Sequence, residues 1–178
     1  MVRRFFDFDT PDRFVAGVVG QPGDRTFYLQ ARQGHAVVSL VIEKVQVAAL
    51  AGRLSQLLDA VEDRVPQPAA GAATRDDEPL DEPIVEVFRI GALALAWDET
   101  SGRVVIEAQP PSADGDFAEL PDNATGGLDL LRVRIGPERA RDFVRRAAAL
   151  VVAGRPSCPF CGQPLDPGGH FCPKTSLN

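Results

Sequence analysis

The spacing of apolar residues predicts three strands and one helix in the first part of the chain. Residues 13–19 are mostly apolar and end at a Gly/Pro turn signal, and residues 36–42 are rich in β-branched side chains. Between them, residues 26–31 alternate between apolar and polar, as a half-buried strand does. The apolar residues then recur every three or four positions, which predicts an amphipathic helix over residues 44–63.

The same order of elements recurs in the second part of the chain. Residues 86–96 alternate over a length that predicts one long strand, followed by a hairpin turn and a strand over residues 103–108. A third strand is predicted over residues 128–135, after a loop rich in Pro, Gly and Asp. Gly136-Pro137-Glu138 then starts a helix, because proline suits the first helical position and an acid suits the first turn. We expect this helix to end near Val152.

These elements predict an α+β fold built from two βββα halves, which indicates an internal duplication. Consecutive strands joined by short turns pair antiparallel, so we expect an antiparallel sheet covered by two helices. The predicted organisation is a first half over residues 1–64, a flexible acidic linker over 65–83, a second half over 84–155 and a tail over 156–178. The linker prediction rests on the Pro, Ala and Gly content of that segment and its lack of apolar periodicity.

Composition is typical of a globular protein and excludes a membrane-spanning helix. The 178 residues are 44% hydrophobic and 25% charged, with a formal net charge of −6. No run of about 18 apolar residues is present, and the chain turns acidic soon after its start, which leaves no apolar stretch for a secretory signal. Three cysteines cannot form a closed set of disulfides. We therefore expect a cytoplasmic protein that does not bind a membrane.

All three cysteines and one of the two histidines fall within residues 158–172. Thiolates and imidazole are ligands that zinc prefers, and Cys158-x-x-Cys161-Gly162 has the spacing of a zinc knuckle, whose glycine lets backbone amides turn toward the sulfurs. His170 and Cys172 supply two more ligands, since alternate residues of an extended chain point the same way. The sequence thus predicts a Cys3His zinc site. Four protein ligands leave no position for water, so this zinc would be structural.

Two other interpretations of these cysteines stay open. Eight residues separate the two ligand pairs, and His-x-Cys is not a standard zinc pair, so the thiols could lie in an unstructured tail without a metal. The other interpretation is a redox role for Cys158 and Cys161, although no βαβ pattern precedes them.

Charge is distributed unevenly along the chain. Residues 59–82 carry eight acids against two arginines, a net of −6, whereas residues 132–155 carry seven arginines against two acids, a net of +5. Arginines on the last helix, beside a zinc tail, could contact nucleic acid, and the test residues would be Arg139, Arg145 and Arg146. The acidic linker could instead fold over the arginine-rich face and neutralise it.

A catalytic set is hard to find in this sequence. Several polar residues lie at predicted strand ends or turns, where a binding site could form: Asp12, Arg13, Gln21, Arg25 and Glu43. No phosphate-binding glycine loop is present. With one histidine assigned to the metal, no second histidine accompanies His35 in a nucleophile–base pair.

Three motifs resemble those of a known family. They are PDRFVAG at residues 11–17, QPG followed by RTFYLQ within residues 21–30, and CPxCGxPLDPxGHxCP at residues 158–173. Together they are similar to an actinobacterial protein family of unknown function, and the similarity covers nearly the whole chain outside the linker. The resemblance implies a lineage and no established activity.

The leading hypothesis is a non-catalytic binding or adaptor protein whose zinc-stabilised tail presents a surface to a protein partner. The closed ligand set, the segregated charge and the lack of a catalytic set favour it. The alternative is an enzyme acting on a small molecule or phospho-substrate, with a polar site near Asp12, Arg13, Arg25 and Glu43. The third hypothesis is nucleic-acid binding through the arginine-rich last helix and the zinc tail.

Overall fold

The computed structural model of the chain contains eight strands and two α helices in the part that it describes. The described residues are 2–64, 75–113, 115–119, 121–154, 157–163, 165, 170, 172 and 174. The elements run in the order β1 (Phe5–Phe8), β2 (Arg13–Gln21), β3 (Asp24–Gln33), β4 (Ala36–Ile42), α1 (Lys44–Ala60), β5 (Glu86–Arg89), β6 (Ala92–Asp98), β7 (Arg103–Gln109), β8 (Leu130–Ile135) and α2 (Pro137–Val152). A single 3-10 turn, Glu62–Arg64, follows α1. None of these helices is long and apolar enough to cross a membrane.

The strands form two four-stranded sheets, ordered β1-β8-β7-β6 and β2-β3-β4-β5. Each sheet is a three-stranded antiparallel meander from one half of the chain, extended by the first strand of the other half. Both added strands pair parallel, β1 with β8 and β5 with β4. The α+β class is confirmed, but two interlocked sheets replace the predicted single antiparallel sheet. The two halves have equivalent strand orders, and the duplication itself stays a prediction.

The predicted long strand over residues 86–96 is divided between the two sheets. Its first part is β5 and its second part is β6, and the chain crosses from one sheet to the other at Ile90 and Gly91. The Ile90 amide still donates to Val41 in one sheet, at 2.8 Å, and the Gly91 amide donates to Gln109 in the other, also at 2.8 Å. A Cβ on Gly91 would lie 2.3 Å from Cα of Pro111, so only glycine fits this crossing.

The two helices pack side by side over a core that includes residues of both sheets. They run antiparallel, since Arg141 at the start of α2 lies 3.7 Å from Asp59 near the end of α1. The three-to-four-residue spacing predicts a buried stripe of Val47, Leu50, Leu54, Leu57 and Val61. Val47, Leu50 and Leu54 are buried in α1 as predicted, together with Ala51 and Leu58, whereas Leu57 is only partly buried and Val61 is buried just after the helix. Helix α2 packs on β2, where Phe143 stacks on Phe14 with ring centroids 4.9 Å apart.

The second part of the predicted flexible linker packs against the sheet that contains β2 and β3. Residues 65–74 lie outside the described residues, but the segment 75–83 is held by specific contacts. Gln30 exchanges two hydrogen bonds with the backbone of Asp81, at 2.8 and 3.0 Å. Leu80 is buried over Gly17, where a Cβ would clash with the leucine side chain. Two of the acids in this segment form ion pairs with the same sheet, Asp76 with Arg13 at 2.6 Å and Asp81 with Arg32 at 2.7 Å.

Candidate metal centre

The three cysteines and His170 form one cluster after the end of α2. One ligand atom from each of Cys158, Cys161, His170 and Cys172 lies within 4.8 Å of all the others. The Sγ atoms of Cys158 and Cys172 are 3.9 Å apart, and Sγ of Cys161 is 3.1 Å from Nε2 of His170. These residues lie together and could bind a metal ion. The predicted ligand set is thus assembled by residues that are up to fourteen positions apart.

The Cys158–Cys161 segment has the local geometry of a knuckle. Gly162 has a φ of +75°, a left-handed conformation that favours glycine. This conformation lets the Gly162 amide donate to the Cys158 carbonyl at 2.8 Å, while the Cys158 amide donates to the Gln163 carbonyl at 2.7 Å. The glycine therefore closes the turn that brings the first two thiols to the same side, as its position after Cys161 predicts.

The electrostatics of the cluster follow from three thiols packed together. A hydrogen bond from the Gln163 backbone lowers the pKa of Cys161, but desolvation and the neighbouring Cys158 and Cys172 together raise the pKa of this thiol above its ordinary value. Nδ1 of His170 is buried and has no hydrogen-bond partner among the described residues. Nε2 of His170, which lies 3.1 Å from Sγ of Cys161, is the nitrogen that faces the thiols.

Comparison with known proteins identifies a family whose function is unknown. The model of a family described as "Protein of unknown function (DUF3090)" matches residues 6–172, which include all four members of the cluster. The chain belongs to the DUF3090 family. Neither the curated proteins nor the solved structures that were searched contain a match.

The five other candidate binding residues do not converge on one site. Asp12 and Arg13 lie at the start of β2, whereas Gln21 lies at its end, about 26 Å away at the rise of a strand. Arg25 lies at the same end of the sheet as Gln21, because it is paired with Gly20. Glu43 lies there too, because it follows Ile42, which is paired with Phe27. The predicted polar site near Asp12, Arg13, Arg25 and Glu43 is therefore divided between opposite ends of one sheet.

The side chains of Asp12, Arg25 and Glu43 also have structural partners, whereas Gln21, the last residue of β2, is exposed. Asp12 accepts a hydrogen bond from the Gly34 amide at 2.5 Å. Arg25 donates to the Ala153 carbonyl at the end of α2. Glu43 forms a capping box with Gln46 at the start of α1 and accepts a hydrogen bond from Arg89.

The arginines considered for nucleic-acid binding are engaged within the DUF3090 chain. Arg139 donates to the Pro11 carbonyl, and Arg146 is buried and donates to the Ala16 carbonyl at 2.7 Å. Arg145 pairs with Asp142 and with Asp77 of the acidic segment, both at 2.9 Å. The acidic linker thus folds over the arginine face, as the charge distribution allows.

Proposed function

We propose that the cluster holds one structural zinc ion and that the protein is a non-catalytic binding protein. The observation that carries the zinc proposal is the mutual approach of four ligand atoms within 4.8 Å. In a tetrahedral zinc site, bond lengths of about 2.3 Å to sulfur and 2.0 Å to nitrogen separate the ligand atoms by about 3.5–3.8 Å. The 3.9 Å between the thiols of Cys158 and Cys172 is close to that spacing.

The donor set favours zinc over harder cations. Calcium and magnesium take oxygen ligands, whereas thiolates and imidazole suit zinc. Three thiolates and one imidazole complete a tetrahedron, which leaves no position for a reacting water. The metal would therefore stabilise the segment that brings Cys158, Cys161, His170 and Cys172 together.

The tail offers one feature suited to a protein partner. Phe160 lies between Cys158 and Cys161 in the sequence and is 62% exposed. Val152, at the end of α2 just before the tail, is 82% exposed. Aromatic side chains held on a rigid turn are frequent anchors of protein interfaces. We propose that the zinc knuckle holds Phe160 in the orientation in which a partner protein binds it.

The experiment separates the metal from the anchor. Full-length protein and three variants, Cys161→Ser, Phe160→Ala and Val85→Ala, are analysed for zinc and used to capture proteins from a lysate of the source organism. Val85 is 66% exposed and precedes β5, so it controls for loss of an exposed apolar side chain.

We expect one zinc per chain in all proteins except Cys161→Ser. We also expect a partner that wild type and Val85→Ala retain and that Phe160→Ala and Cys161→Ser lose. Equal capture by wild type and Phe160→Ala, or no specific capture by wild type, would overturn the adaptor proposal without touching the zinc proposal.

A further inference from the structure

A cleft on the other side of the molecule from the helices has the size of a small-molecule site. It lies on the outer face of β6, β7 and β8, beneath the segment that follows β7. Its volume is about 460 Å³, within the range of about 300–1,000 Å³ that is usual for ligand pockets. The wall combines apolar side chains with polar and charged ones, and its apolar members include Ala94, Ala96, Val105, Phe117 and Leu130.

The cleft exists because small residues on β6 lie beneath a fixed covering segment. Ala94 and Ala96 are opposite Glu107 and Val105 in the register, so they share one face of the sheet with those residues. The Gln109 side chain fixes the segment above them, because its amide donates to the Ala118 carbonyl at 2.7 Å and accepts from the Ala118 amide at 2.9 Å. Larger side chains on β6 would fill this space.

Arg3 lines the cleft and is only 7% exposed. Its Nη1 donates to the Pro121 carbonyl at 2.9 Å, and its guanidinium lies 5.8 Å from the centre of the Phe5 ring. Its Nε and Nη2 are buried without a hydrogen-bond partner among the described residues. Leaving such donors unsatisfied destabilises the fold, and more so for charged groups.

The two unsatisfied atoms, Nε and Nη2, are the pair of donors with which arginine binds a carboxylate side-on. Nε and Nη2 of Arg13 bind the two oxygens of Asp76 at 2.6 and 2.8 Å. The same two atoms of Arg4, one residue from Arg3, bind Asp129 at 2.8 and 2.5 Å. Among the described residues, Arg3 has no carboxylate within ion-pairing distance. Its side-on edge therefore matches an external carboxylate, in the bidentate geometry that planar guanidinium favours.

The other charges in the cleft select for a singly charged ligand. Arg132 also lines the cleft, but Glu107 at 2.5 Å and Asp122 at 2.7 Å already balance its charge. Glu119 belongs to the lining as well, and its negative charge disfavours a dianion such as phosphate more than a monoanion, because like charges repel strongly in a partly desolvated cleft.

We propose that this cleft binds a small organic monocarboxylate with an apolar body. The carboxylate accepts hydrogen bonds from Nε and Nη2 of Arg3, and the apolar body lies along Ala94, Ala96 and Phe117. Because both nitrogens are covered, binding includes a local movement of Arg3 or of the segment above it, and the two new charge-assisted hydrogen bonds offset the cost of that movement. This site is separate from the metal cluster and goes beyond the binding function proposed above.

The test uses hexanoate, benzoate, hexanamide and inorganic phosphate as probes of the full-length protein. Calorimetry measures their dissociation constants for wild type, Arg3→Gln, Arg4→Gln and Ala94→Leu. Arg4→Gln removes the same charge one residue away, from the pair with Asp129. Ala94→Leu narrows the cleft without changing its charge, so it also tests the site if Arg3→Gln folds poorly.

We expect saturable binding of at least one carboxylate by wild type, about tenfold weaker in Arg3→Gln, as loss of a charged hydrogen-bond pair implies. Arg4→Gln should bind like wild type, and Ala94→Leu should lose binding. Absence of saturable carboxylate binding, equal binding of hexanamide, tighter binding of phosphate, or equal weakening in Arg3→Gln and Arg4→Gln would each overturn the proposal.

Discussion

Two arginines that burial would otherwise destabilise share the carboxylate of Asp76. Arg13 and Arg146 are 7% and 9% exposed, and both contact Asp76, at 2.6 and 3.1 Å. The hydrogen bond from Arg13 holds the pKa of Asp76 below its ordinary value, and the same bond raises the pKa of Arg13. Burial lowers the pKa of Arg146. Because a buried charge is costly without a partner, the acidic segment is needed for the stability of the sheet that it covers.

Asp76→Asn should lower the free energy of unfolding by about 2–3 kcal/mol at neutral pH, because it leaves two buried guanidinium groups with one fewer charged partner. Asp77→Asn is the matched control, since the Asp77 side chain is 70% exposed; its cost should stay below about 1 kcal/mol. Urea unfolding of both variants measures the two values. Equal effects of the two substitutions would contradict the assigned role of Asp76.

The ion pair between Asp76 and Arg13 should make the stability of the protein depend on pH. The folded-state pKa of Asp76 is lowered, so its stabilising contribution is complete above its unfolded pKa of about 4 and is lost as the pH falls through the folded-state value. The stability difference between wild type and Asp76→Asn should therefore shrink below about pH 4. A difference that stays constant from neutral pH to pH 3 would argue against this ion pair.

Among the secondary-structure elements, β5 and β6 are joined by Gly91, where the chain crosses from one sheet to the other. Gly91→Ala should destabilise the protein by about 1–3 kcal/mol, because the added Cβ would lie 2.3 Å from backbone of Pro111. Gly52→Ala provides the opposite control: Gly52 lies within α1 with open space around it, so alanine should stabilise the protein by about 0.5–1 kcal/mol. Thermal unfolding of the two variants should shift in opposite directions, and a shift in the same direction would contradict the crossing geometry.

Elements with a clear local pattern could be predicted from the sequence, and those set by distant pairing could not. Strand β4 and helix α2 have the predicted bounds, since periodicity and the Gly-Pro start mark them locally. Strand β1 was missed because it has only four residues, and its partner β8 lies more than 120 positions away in the sequence. The division of residues 86–96 was missed because apolar alternation continues through Ile90 and Gly91, so nothing local marks a change of sheet.

The two sites differ in predictability for the same reason. The Cys3His cluster could be predicted because its four members lie within a short stretch whose residue types are rare in the rest of the chain. The cleft could not, because Arg3 is near the start of the chain and the segment around Ala118 and Pro121 that covers it is more than 110 positions later. An arginine beside Phe5 has no sequence signal that separates it from Arg4, its exposed and paired neighbour.

At the scale of the molecule, the exchange of first strands joins the two halves into one folding unit. Each sheet needs a strand from the other half, and one core cluster includes residues of both sheets and both helices. We therefore expect one cooperative unfolding transition. Fluorescence of Trp97, the single tryptophan, reports on the sheet that contains β6, while far-ultraviolet circular dichroism reports on the whole chain. The two midpoints in urea should coincide, and separate midpoints would show that the halves unfold independently.

Removal of the metal should loosen the tail and leave the sheets intact. In the proposed zinc site the four ligands come from residues 158–172, whereas the sheets have a shared apolar core. After treatment with a chelator, hydrogen exchange of residues 157–174 should accelerate while that of β2–β4 and β7–β8 stays unchanged. Faster exchange throughout both sheets would contradict this separation.

Zinc K-edge X-ray absorption of the purified protein would identify the bound metal and count its neighbours. We expect one zinc per chain, with three sulfur atoms at about 2.3 Å and one nitrogen at about 2.0–2.1 Å. The Cys161→Ser variant should lose the metal or one sulfur neighbour. A protein that holds no zinc, or a zinc ion surrounded mainly by oxygen, would contradict the assignment of Cys158, Cys161, His170 and Cys172 as a structural zinc site.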